Sequence, residues 1–167
     1  MKRLLTIVLC AVALAGSAVT AMADDESADA LTPKDWLRLA PDDDARFALL
    51  EQYLRGYDRS MWEIGDRYQV IYDALTLENY DLALYHWSKI RTTLVNGNLK
   101  RPDRQANSEA FFLDSTWADV KEDFESRDPK IAWEGFDLAR TACMTCHEAE
   151  NIAYMNEQPL FIDTEVP

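Results

Sequence analysis

The chain has 167 residues, 17 Lys and Arg against 30 Asp and Glu, and a formal net charge of −13 at pH 7. That balance excludes a nucleic-acid binder built on phosphate contacts, which needs a positive field. It suits a basic protein partner, although an acidic surface also serves plain solubility.

The N-terminus reads as an export signal. Lys2 and Arg3 form a basic start, Leu4 to Ala15 is an apolar run too short to span a bilayer comfortably, and Ala21-Met22-Ala23 is an A-x-A cleavage site followed at once by Asp24 and Asp25. Cleavage of 1–23 removes Cys10 and takes the formal charge to −15. The expected mature chain, 24–167, is one domain's worth, large enough to fold without disulfide staples and without a membrane span.

The mature part reads as all-α. Gly is scarce, and no Val- or Ile-rich alternating run signals a strand. Thr32-Pro33 predicts a short helix near 33–39 inside an N-terminal extension, 24–43. Pro41-Asp42-Asp43-Asp44 opens a long helix with the stripe Phe47, Leu50, Leu54, Tyr57, Met61, Ile64, Tyr68, Ile71 and Leu75, spaced three and four apart. A break at 76–79 leads to a second helix over 80–94. The polar stretch NGNLKRPDRQANS, 96–108, reads as a long surface connection. A third helix is expected over 109–125, facing inward with Leu113, Trp117, Val120 and Phe124. Asp128-Pro129 caps a fourth that carries Ala132, Phe136, Ala139, Cys143 and Cys146. Short breaks favour antiparallel neighbours, so the expected architecture is an antiparallel four-helix bundle over 44–159, followed by a tail, 160–167.

The chemistry concentrates in Cys143-Met144-Thr145-Cys146-His147. On a helix, Cys143, Cys146 and His147 share a face with Phe136, Ala139 and Arg140 one or two turns earlier, a surface suited to a planar macrocycle. C-x-x-C-H is the attachment sequence of c-type haem, in which two thiols bind covalently and the imidazole ligates iron. A structural zinc site would need a fourth ligand, and His86 is the other histidine. A thioredoxin-like dithiol opens a helix in an α/β pattern that is missing here.

With these residues in place, the chain resembles the cytochrome c-prime class: exported monohaem four-helix bundles with the attachment sequence on the last helix. The likeness covers about 44–159: a long first helix, a tight turn, a second helix opening Asn79-Tyr80-Asp81-Leu82-Ala83, a long loop, and Ala142 to His147. The second-helix start is similar to the N-W-x-L-A motif of a periplasmic subgroup, with Tyr80 in place of its tryptophan. The motifs that carry the likeness end at His147, and neither the extension, 24–43, nor the tail from Asn151 onward contributes one.

The resemblance implies one covalent haem c held by Cys143 and Cys146, with His147 as proximal ligand. It places Met61 at the distal position, about four turns before the first helix ends. Low-spin relatives ligate iron with methionine there; relatives that bind nitric oxide or carbon monoxide leave the iron five-coordinate. The expected function is therefore single-electron transfer in the periplasm, with gas binding as the alternative. Catalysis is not expected, since no second histidine is placed as a distal acid–base group. Other residues carry weaker expectations. Arg140 pairs with a haem propionate or is solvated. Tyr57 and Tyr68 pack in the core or donate at the haem edge, and Met61 could equally fill the core. His86 sits beside the inward stripe as a boundary histidine, with bis-histidine ligation as its alternative role. Met144 should face away from the haem, and Met155 reaches the distal side only by folding over. A basic redox partner is expected, and homodimers through the first two helices occur in the class.

Overall fold

The computed structural model describes residues 31–162. The expected signal segment and cleavage site, residues 24–30 and residues 163–167 lie outside the described residues. Among the described residues there are helices and turns and no strand, so the chain is all-α as expected. None of those helices is long and apolar enough to cross a membrane.

Thr32 to Leu39 forms turns rather than the short helix expected there. The Asp35 carboxylate accepts from the Thr32 backbone N–H at 2.7 Å and from its hydroxyl at 3.0 Å. A single turn of this length does not offset the entropy of helix nucleation.

The long first helix is two helices. Helix α1, Asp43–Leu54, is capped by the Asp42 carboxylate, which accepts from Ala45 N–H at 2.8 Å. Arg55 then turns to φ 61°, and α2, Tyr57–Thr76, begins after Gly56. The stripe is continuous in sequence, but only its second part reaches the buried core. Phe47 is 61% exposed and Leu54 52%, while Tyr68, Ile71 and Leu75 are buried. Gly56 propagates helix poorly, and the Arg101 guanidinium lies so close that a Cβ there would stand 2.7 Å from Nη2.

Helix α3, Tyr80–Lys100, runs past its expected end and through Gly97. The polar residues that suggested a surface connection are partly interior. Asn98 is buried, and its Oδ1 accepts from the hydroxyls of Tyr57 at 3.0 Å and Ser108 at 2.9 Å. A 3-10 turn, Pro102–Arg104, and the single-turn α4, Gln105–Ser108, complete the rest of that stretch. The third helix also starts later than expected. Residues Glu109–Leu113 form a π turn, and α5 is Thr116–Glu125. The Ser115 and Thr116 hydroxyls donate to the carbonyls of Ala110 and Phe111, five residues back, and so sustain the widened turn. Helix α6, Pro129–Ala149, begins at its expected cap, where Asp128 Oδ1 accepts from Ile131 N–H at 3.1 Å.

Helix α2 packs on α3, α5 on α6, and the two pairs meet through α3 with α5 and α2 with α6. The buried centre holds Ile71, Trp87, Ile90, Val120, Phe124 and Phe136. Trp87 Nε1–H donates to the Trp117 carbonyl at 3.0 Å, tying α3 to α5. Gly135 lets α6 approach α5 closely, since a Cβ there would stand 2.7 Å from Asp123 Cβ. Gly135→Val should therefore force the two helices apart and cost about 1–3 kcal/mol, read as a lower urea midpoint at unchanged slope.

Candidate functional site

The last turns of α6 carry the site. Cys143, Cys146 and His147 are all partly buried, and the two cysteines are free of disulfide bonds. Cys143 packs against the central core. Burial pushes its thiol up to about 12, with the neighbouring Cys146 adding to the effect. Burial and then the Glu150 carboxylate push Cys146 up to about 11. Both groups are thus protonated at neutral pH, unlike the low-pKa attacking thiol of a thioredoxin-like pair. Among the described residues no group of three or more His, Cys, Asp or Glu side chains is arranged to hold a bare metal ion.

Helix α6 ends in a Schellman motif. Asn151 sits at φ 60°, its N–H donates to the Glu148 carbonyl at 3.0 Å, and Ile152 N–H donates to the His147 carbonyl at 2.9 Å. The chain turns back beneath the helix, and the 3-10 turn Ala153–Glu157 delivers Asn156 to His147. Asn156 Oδ1 lies 2.8 Å from His147 Nδ1, and Asn156 Nδ2 donates to the Met144 carbonyl at 3.2 Å. Helix α7, Pro159–Ile162, sets Phe161 edge-on to the imidazole at 5.6 Å between ring centres.

Helix α2 supplies the facing wall. Tyr68 stacks on Phe136 with ring centres 4.3 Å apart, and its hydroxyl donates to the Phe136 carbonyl at 2.6 Å. It also lies within electrostatic range of Cys143 and Arg140. Tyr57, three turns earlier on α2, lies within range of Cys146. Helices α2 and α6 therefore run antiparallel here. Met61 and Ile64 fall between the two tyrosines on the same stripe, at the level of the cysteines, and both pack against the core.

Burial also acts on the tyrosines: Tyr57 is pushed up to about 12, and Tyr68 is raised well above the ordinary phenol value. Both hydroxyls stay protonated in the folded chain above pH 10, where an unfolded tyrosine loses its proton. The unfolded state then binds fewer protons, so stability is fully present below pH 10 and falls as pH rises toward 12. Thermal unfolding temperatures should decline over that window, with phenolate absorbance appearing as structure is lost. Tyr57→Phe should flatten the decline.

Arg140 is partly buried and pairs with Asp137 on its own helix. Phe136 is fully buried in the core rather than lining an open face. His86, on α3, contacts Arg67 of α2 at 3.4 Å and sits edge-on to Tyr85. Met155 is 39% exposed, and its sulfur accepts from Gln158. Sequence reading missed Asn156 and Phe161. It also missed Glu150, which accepts from Arg104 at 2.7 Å and Asn107 at 2.8 Å beside Cys146. The one available signal was Asn151, a residue suited to the left-handed position that reverses a chain after a helix.

The open depression lined by Leu75, Thr76, Pro129, Lys130 and Trp133 lies toward the opposite end of α6 and contains none of the motif residues. In comparisons with known proteins, no family model, no curated protein and no solved structure matches the chain.

Proposed function

We propose that this chain is an exported c-type cytochrome of the c-prime class that carries single electrons in the periplasm. In this reading α2, α3, α5 and α6 form the antiparallel four-helix bundle. Cys143 and Cys146 hold one haem by thioether bonds, His147 is the proximal ligand, and Met61 is the distal ligand. The observation that carries it is the last turns of α6: two unjoined, protonated thiols one turn apart, with an imidazole on the same face whose Nδ1 is engaged by Asn156. This donor set fits a c-type haem, because thioether formation adds S–H across a vinyl group and ligation needs a free imidazole nitrogen.

The haem would supply reversible one-electron chemistry when bound. The chain's residues do the rest. His147 is held in one orientation by Asn156 and Phe161. The wall of Tyr57, Met61, Ile64 and Tyr68 on α2 keeps water from the cysteine face. The acidic surface, at formal charge −13 over the whole chain, favours encounter with a basic redox partner.

The test is the reduced absorption spectrum of protein exported by a cell competent in c-type maturation. A red protein whose pyridine adduct has the alpha band of a haem with both vinyl groups saturated, and whose N-terminus is Asp24, is the expected result. A colourless protein holding one equivalent of zinc would overturn the reading.

A further inference from the structure

We propose that Asn156 is the positioning residue of the proximal ligand: it fixes the tautomer and orientation of His147 and, through that hydrogen bond, lowers the reduction potential of the iron. The assignment rests on the functional reading above and extends it to a segment that follows the last of the motifs carrying the likeness.

The geometry determines the direction of each hydrogen bond. The Met144 carbonyl only accepts, so the atom of Asn156 that faces it at 3.2 Å is the amide nitrogen. Oδ1 therefore faces His147 at 2.8 Å, and since Oδ1 only accepts, Nδ1 carries the proton. Nε2 is left with the lone pair that ligation requires. A reversed amide would set two oxygens against each other at Met144. Asn156 is 9% exposed, so little water competes for either bond. Its own position is fixed from both sides. The Schellman turn at Asn151 anchors the segment before it. After it, Phe161 meets the imidazole, and Leu160 packs on the core with a methyl 3.9 Å from where a Cβ on Gly65 of α2 would stand.

An acceptor on Nδ1–H draws the proton away from the ring and makes Nε2 a stronger donor, which favours ferric over ferrous iron. The potential should follow acceptor strength at residue 156. The test compares holoprotein of the wild type, Asn156→Asp and Asn156→Leu by potentiometric titration. The solvent exchange of the hyperfine-shifted His147 Nδ1 proton is read by NMR. Both variants lose the bond to the Met144 carbonyl, so an anchoring role alone would move both potentials the same way or neither. The proposal expects opposite shifts: Asn156→Asp below the wild type and Asn156→Leu above it, with faster proton exchange in Asn156→Leu. Shifts of the same sign, or no shift in either, with haem still covalent, overturn the assignment and leave the functional reading standing. A wild type without covalent haem overturns both. If Asn156→Leu fails to load haem, Asn156→Asp is read together with the Nδ1 proton: a lower potential with that proton as protected as in the wild type supports the role, and an unchanged or higher potential, or faster proton exchange, removes it.

Discussion

Cys143→Ala combined with Cys146→Ala should abolish the haem-loaded protein and lower the stability of the fold. In the wild type, acid–acetone extraction should leave the colour on the protein, because thioether bonds survive treatment that removes non-covalent haem. In the double variant, any pigment should leave on extraction. The stability effect follows because a tethered haem would be ligated and buried only in the folded state, and the double variant loses those interactions. Cys143 packs against the core beside α2, so its loss also removes a contact between α6 and the rest of the molecule. Each single variant should retain a one-thioether product with a shifted alpha band. Colour extracted from the wild type would end the covalent reading.

The sequence disclosed most where local chemistry decides the structure. The start of α6 was legible because Asp128 and Pro129 act within four residues of each other, and the structure keeps that cap. The co-facial placement of Cys143, Cys146 and His147 needed only the helical period. Errors arose where tertiary partners decide. The stripe from Phe47 to Leu75 has an unbroken helical rhythm, yet α1 finds no burial and the chain breaks at Arg55-Gly56. Asn98 and Ser108 are polar in a stretch whose composition points to a loop, yet both are buried. Asn98 accepts from the Tyr57 hydroxyl, 41 residues away in sequence, and from the Ser108 hydroxyl. Asn156 was invisible for the same reason: its role depends on a chain reversal at Asn151 that returns it to His147, nine residues back in sequence.

Met61→Ala should convert a low-spin haem into one that binds carbon monoxide. The four side chains of the α2 wall are Tyr57, Met61, Ile64 and Tyr68, and they differ sharply in what they can offer iron. The Tyr57 hydroxyl is committed to Asn98 and the Tyr68 hydroxyl to the Phe136 carbonyl, and burial keeps both protonated. Ile64 has no donor atom. The Met61 thioether is thus the one uncommitted donor on that stripe, and it is soft, favouring ferrous iron. The wild type should show a sharp alpha band when reduced and a weak near-infrared sulfur-to-iron band when oxidised; Met61→Ala should lose both. Met61 is only partly buried, so the cavity should cost about 2 kcal/mol, the low end for methionine truncation. Circular dichroism must first show that the helices persist. A wild type that is already high-spin and takes up carbon monoxide would make Met61 a packing residue and favour nitric oxide or carbon monoxide binding over electron transfer. A low-spin spectrum that survives Met61→Ala would direct the search to His86 and Met155. His86 would first have to leave Arg67, and the exposed Met155 would have to fold over α2.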